Sequence, residues 1–382
     1  MEPPAVSGAH QPDRRRRALA FAAFLALALL AGCGGDPEPS AAPEPPSSVA
    51  GTATTATPTT VRQPAGSGPR QPTGTPVTLA FGGDVHFEGV IRSRLESNPG
   101  TALGPIASVL RGADLAMVNL ETAVTTGGTP AGKEFNFRAP PSAFRALQGA
   151  GVDVATMANN HGEDFGVGGL RDSLAAAEAA HFPVVGIGRD ATQAFGGHAL
   201  TVKGQRIAII AATQVLDSSL AAAWSAGPGK PGLASAYQES RLLAAVRAVR
   251  RTSDTVVVFL HWGKEGGTCP ISRQRALAPR LVAAGADVVV GSHAHVLLGA
   301  GFLDGAYVSY GLGNFVFYAR GGLGAESGVL TLTMRGRAVT GVRWTPARIS
   351  GGVPIPLAGA EAARAQASWR ALRNCTGLSP SP

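Results

Sequence analysis

Between residues 77 and 295 the chain repeats one pattern: a short, unbroken apolar run that ends in carboxylate, amide or imidazole side chains. Residues 77–83 lead into Asp84-Val85-His86, residues 115–119 into Leu120-Glu121, and residues 152–157 into Asn159-Asn160-His161-Gly162-Glu163-Asp164. Residues 255–261 end in His261-Trp262-Gly263-Lys264-Glu265, and residues 287–291 run into Ser292-His293-Ala294-His295. Apolar runs without alternation read as strands covered on both faces, and helices must supply the cover. The helices are expected at 101–111, 141–149, 167–180, 239–251 and 272–284, with two more strands at 184–186 and 206–212. Strand-like pieces at 306–311, 328–335 and 339–344 follow, the last two turning through Arg335-Gly336-Arg337, and a helix is expected at 361–372. The chain therefore reads as α/β with added antiparallel hairpins.

In α/β sheets, ligands bind in the loops beyond the carboxyl ends of the strands. Five of the eight histidines, His86, His161, His261, His293 and His295, stand in those loops. Neutral imidazole combined with carboxylate suits divalent transition metals. Taken singly, most of these motifs have a plainer account. Asp-x-His is common by chance, Asn-Asn-His is a good turn, Glu121 can be a solvated strand end, and His261 can pack beside Trp262. Two histidines one residue apart after a buried run, as at His293 and His295, rarely serve packing. The weight lies in the whole set occurring in order.

The ends of the chain carry a different message. Arg14 to Arg17 precede an apolar stretch to Leu30 that is shorter than the roughly 20 residues a spanning helix needs. Leu30-Ala31-Gly32-Cys33 then resembles a lipobox, so residues 1–32 are expected to be a lipoprotein signal peptide and Cys33 the lipidated residue. Residues 33–76 are dominated by Gly, Pro, Ser, Thr and Ala and read as a disordered tether. The chain is thus expected outside the cytoplasm, held to the bacterial membrane by lipid. Such a compartment permits a bridge between the two remaining cysteines, Cys269 and Cys375. After the leader, 29 basic residues face 23 acidic ones. That mild excess fits an anionic polymer or phosphoester, and no basic run interleaved with aromatics points to nucleic acid.

Together with Tyr310-Gly-Leu-Gly-Asn314-Phe315, the five loops resemble the CapA family, the poly-γ-glutamate capsule branch of the calcineurin-like metallophosphoesterase superfamily. The resemblance implies a four-layer sandwich of two mixed β-sheets flanked by helices, over residues 77–350, with 351–382 as a C-terminal helix and tail. It implies metal ligands at Asp84, His86, Glu121, Asn160, His261, His293 and His295, with His161 as the acid that protonates a leaving group. The cofactor implied is a divalent transition metal, two ions of Mn, Fe or Zn. Asp164 and Glu265 are candidates to orient imidazoles, and Lys133 and Arg138, flanking Phe135-Asn136-Phe137, to hold an anionic substrate; exposed loop charge is the plainer reading of all four. The function implied is synthesis, export or retention of poly-γ-glutamate or another anionic envelope polymer, alongside capsule-synthesis proteins. A non-catalytic binding lipoprotein and a general secreted phosphoesterase are the rival readings.

Overall fold

Two β-sheets lie face to face, and each carries helices on its outer side. The structure, a computed structural model, describes residues 70–71, 73–319 and 321–382. The expected signal peptide, Cys33 and the expected tether up to residue 69 lie outside the described residues. In one sheet of eight strands, Val77–Val85 sits between Leu115–Leu120 and Glu326–Arg335, with Asn314–Val316 also paired to it. The other, of six strands, has Thr255–Trp262 between Gln205–Thr213 and Val288–His293. In the six-stranded sheet parallel pairs make the centre and antiparallel pairs both margins. The eight-stranded sheet is instead antiparallel on the Glu326–Arg335 side of Val77–Val85 and parallel on the Leu115–Leu120 side.

Period-two alternation along the strands explains the layers. Val77, Leu79 and Phe81 face Ile207, Ile209, Val257, Phe259, Val288 and Val290 in the core between the sheets. The intervening side chains face outward. Ala80 and Val118 meet the helices Ser142–Gly149 and Gly166–Ala179, whereas Val256, Val258, Leu260 and Val289 meet Glu239–Arg250 and Ser272–Ala284. The result is the expected four-layer α/β sandwich of two mixed sheets.

Several elements differ in detail. The stretch read as one helix over 101–111 is two short 3-10 turns followed by Ala107–Arg111. Gly104-Pro105 interrupts it, because proline lacks the amide that would continue the ladder. The helix Val90–Ser97 and the strand His198–Val202 form where no marked apolar period announces them. Antiparallel pairing extends the late hairpin to Ala338–Ser350 and adds Val353–Pro356. The C-terminal helix Gly359–Ala371 packs onto the sheet, where Trp369 stacks on Trp344 at 5.0 Å. A disulfide between Cys269 and Cys375 ties the tail to the loop that follows Thr255–Trp262. Among the described residues no helix is long and apolar enough to cross a membrane.

Candidate metal centre

Both sheets bring their carboxyl-end loops to one place. Val77–Val85 ends with Asp84 level with Asn119 on one neighbour and Asn314 on the other. Glycine at 83 permits this approach. A Cβ there would lie 1.9 Å from the Gly313 carbonyl oxygen, which accepts the Asp84 amide at 2.9 Å. In the facing sheet, His261 is level with Ser292 and Trp262 with His293. Asp84 Oδ2 accepts the His293 amide at 3.1 Å, and Asn119 Nδ2 lies 3.2 Å from His261 Nδ1. These contacts join the two sheets at the site. His293 and His295 adopt φ of 91° and 56°. Left-handed backbone is costly for such residues and persists where the surroundings impose it.

The centre is short of positive charge. Glu121 is wholly buried, and neither of its carboxylate oxygens has a hydrogen-bond partner; His293 Nδ1 and His86 Nε2 are also buried without one. Ligand atoms of Glu121, His261 and His293 lie within 4.8 Å of one another, as do those of Asp84, Glu121 and His295. Burial, with the Asp84 charge added, pushes the Glu121 carboxyl up to about 8. Asp84 moves the other way. Burial would raise it, but a hydrogen bond from His295, the charges of His261 and His295, and the Asn119 amide bring it down to about 2. Burial lowers His86 and His261 to about 3, and His293 well below the ordinary value. For His295 the carboxylates Glu121 and Asp84 overcome burial and raise it to about 9. A buried carboxylate without hydrogen bonds, beside the neutral imidazoles of His86, His261 and His293, is an unfavourable arrangement that a cation would satisfy. These side chains are able to hold a metal ion.

The surrounding amides set the imidazoles. Asn314 Nδ2 donates to the His295 and Gly324 carbonyls, which turns its Oδ1 toward His295 Nδ1 at 2.9 Å. That fixes a proton on Nδ1 and makes Nε2 the nitrogen a cation would take. His261 Nδ1 faces the Ser292 hydroxyl at 3.0 Å, while its Nε2 is 2.7 Å from Asn160 Oδ1 and 3.3 Å from Glu121 Oε1. Asn159 donates to Asn119 Oδ1 and the Leu120 carbonyl, and its own Oδ1 accepts the His161 amide. Asn119, Asn159, Ser292 and Asn314 were not among the residues singled out as site candidates. Their signal is a polar residue inside or directly after a buried apolar run, where an unpaired amide would be costly.

His161 belongs to a second arrangement beside the first. Its Nδ1 is 2.6 Å from Asp164 Oδ2, and Lys133 Nζ is 2.7 Å from Asp164 Oδ1. Phe137 donates its amide to Asp164 and lies as a ring between His161 and His86, stacked at 3.9 and 4.8 Å. Nε2 is left as the free nitrogen of His161, without a hydrogen bond among the described residues. Lys133 is turned inward and serves this group. The Arg138 guanidinium lies over the Phe165 ring at 4.7 Å, and its backbone amide binds Glu88. Glu265 is exposed at the rim, its carboxylate grouped with His293 and His295.

Residues 78–319 match the family described as bacterial capsule synthesis protein PGA_cap. The chain is 28% identical over 285 residues to the PGA biosynthesis protein CapA of Bacillus subtilis (strain 168), covering 74% of each. With the capsule biosynthesis protein CapA of Bacillus anthracis it shares 30% identity over 230 residues, 60% of this chain and 56% of that one. A crystal structure described as a novel phosphatase, from Mycoplasma pneumoniae, superposes with a TM-score of 0.45 at 14% identity, covering 72% of this chain and 95% of that one.

Proposed function

For a chain that belongs to the PGA_cap family of bacterial capsule synthesis proteins, we propose the role of a lipid-anchored, metal-dependent hydrolase acting on an anionic envelope polymer, poly-γ-glutamate first among them. The observation that carries this reading is Glu121, buried with both oxygens unpartnered among Asp84, His261, His293 and His295. Asp84, His86, Glu121, Asn160, His261, His293 and His295 would hold a divalent transition metal, as a pair of ions of Mn, Fe or Zn. When bound, such ions polarise a phosphoryl or acyl oxygen and make water nucleophilic at neutral pH. The chain's own part is to supply and steer protons. Asp164 holds His161 by Nδ1, so the ring meets the leaving oxygen or nitrogen through Nε2 as its acid. Lys133 holds Asp164 in place. Phe137 and Phe317 shield the neighbouring His86 from water. Anchoring at Cys33 outside the cytoplasm agrees with the disulfide, which survives in oxidising surroundings.

The test is the metal content of the purified full chain, with hydrolysis assays on phosphoesters and γ-glutamyl amides. Asp84→Ala should lose metal and turnover together. His161→Asn should keep the metal and lose turnover by about 10²- to 10⁴-fold. A folded chain that takes no metal and turns over neither substrate leaves a polymer-binding role and ends the hydrolase reading.

A further inference from the structure

A cleft of about 740 Å³ opens beside the metal centre, and much of its wall is apolar surface left facing water. Val90, Phe135 and Tyr318 line it and are 60%, 56% and 39% exposed, three of the eight large apolar side chains so exposed among the described residues. Single exposed apolar residues are ordinary, but three on one concave surface next to a reactive centre mark a binding site. The backbone is shaped for it. Gly351 and Gly352, at φ of 57° and 82°, make the turn between Ala338–Ser350 and Val353–Pro356 that lines the cleft opposite Val90. A Cβ on Gly352 would lie 2.5 Å from Ile91 Cγ1, so glycine alone lets this turn pass so close to the helix Val90–Ser97. The Gly352 carbonyl accepts the Phe317 amide at 3.1 Å and ties the turn to the segment that carries Tyr318.

The cleft and the metal centre share a wall. The Tyr318 ring meets the His86 ring edge-on at 4.5 Å, and Phe135 stands two residues before Phe137, which stacks on both His86 and His161. A substrate whose scissile group sits at the centre can therefore reach the cleft past Tyr318. Among the described residues, the one charged side chain lining the cleft is Glu88. Its Oε1 accepts the Arg138 amide at 2.8 Å, and Arg92 Nη2 approaches the same oxygen at 3.5 Å. The Arg92 guanidinium also donates to the Phe87 and Arg138 carbonyls. A carboxylate fixed against an apolar wall opposes an anionic arm and leaves an uncharged one free to enter.

We infer that this cleft is a substrate subsite for an uncharged, apolar arm joined through the bond that is cut at the metal centre. The inference rests on the hydrolase reading and narrows its substrate. The polymer's charged run lies on the other side of the bond, and the group it is cut from carries no free carboxylate. Cleavage within a run of γ-linked glutamates would set a carboxylate against Glu88, so the favoured bond joins the polymer to an apolar group. Water adds across that bond, its hydroxyl going to the acyl or phosphoryl centre and its proton to the leaving oxygen or nitrogen.

The experiment measures binding of ethyl-, octyl- and 7-carboxyheptylphosphonate to the full chain by calorimetry with Mn(II) present, and hydrolysis of the matching alkyl phosphates. Octylphosphonate should bind about tenfold or more tightly than ethylphosphonate, and the carboxylated arm should lose most of that gain. Phe135→Ala and Val90→Asp, both at exposed positions, should bring the octyl-to-ethyl ratio toward one, and Glu88→Gln should readmit the carboxylated arm. Equal affinities for ethyl and octyl, or a ratio that neither variant moves, overturn the proposal. Self-association that Phe135→Ala abolishes, with no preference among the arms, gives the cleft to a second copy and also overturns it. Cleavage of the phosphates without regard to the arm overturns it and leaves the hydrolase reading standing. Arm-selective binding with no cleavage of any ester or γ-glutamyl amide keeps the subsite and ends the hydrolase reading.

Discussion

One strand, Val288–His293, joins two buried charge clusters that are built in opposite ways. At its amino end, Asp287 is fully buried and receives three guanidiniums, from Arg70, Arg250 and Arg337, as well as the Val256 amide. At its carboxyl end, about 20 Å away at strand spacing, Glu121 is as deeply buried and has no hydrogen bond at either oxygen. The first cluster is complete within the chain. The second is left short by one or more positive charges, amid strained His293 and His295 backbone. Where a fold satisfies its buried ions it is securing structure; where it leaves them wanting, it is holding a place for something else.

The largest effect should come from breaking the complete cluster. Asp287→Asn leaves three arginines facing each other around a neutral amide. Removal of one partner from a buried ion pair costs about 3–5 kcal/mol, so the denaturation midpoint should fall sharply. The corresponding change at the other end, Glu121→Gln, should shift the metal-free protein by no more than about 1 kcal/mol, since neither oxygen has a hydrogen bond to lose. If both variants are equally damaging, the contrast between the clusters is wrong.

Adding metal sharpens the same contrast. A ligand that binds only the folded state stabilises it by about 2.7 kcal/mol at a hundredfold excess over its Kd. The parent and Asp287→Asn should each gain that much with Mn(II) or Zn(II), measured as a rise in melting temperature, whereas Glu121→Gln should gain little. Equal gains in all three would place the ion away from Glu121.

The two clusters also differ in how far they could be read from sequence. Each ligand at the carboxyl end follows an apolar run, so Asp84, Glu121, His261, His293 and His295 were visible as a set before any fold was known. Their supports were not. Asn119 and Ser292 look like ordinary strand residues until the register sets them beside Asp84 and His261. Lys133 reads as an exposed loop charge because its partner Asp164 is 31 positions away and meets it only in the fold. The Asp287 cluster was invisible for the same reason. Arg70 falls within a stretch whose composition signals a tether, yet it pairs with a residue 217 positions on. Local pattern reports burial and direction; it does not report which distant charge comes to rest on which.

The smallest effect tests whether the shortage extends beyond the ligands. Glu163, at the same end of the molecule, is buried with Oε2 unpartnered, and burial raises its carboxyl from 4.5 to about 8, against the weak pull of Lys230. The unfolded chain loses this proton near pH 4.5, while the folded chain keeps it until about pH 8. The folded state therefore binds more protons across that window, and stability must fall as pH rises through it, by at most about 1.4 kcal/mol per unit. His86 and His261, whose folded values are depressed to about 3, act with the opposite sign below 6.5. The raised groups His295 and Glu121 act with the same sign as Glu163. Comparison with Glu163→Gln cancels all of these. The stability of the metal-free parent should drop relative to the variant between pH 5 and pH 8, and parallel curves would show that Glu163 ionises in the fold as freely as in water.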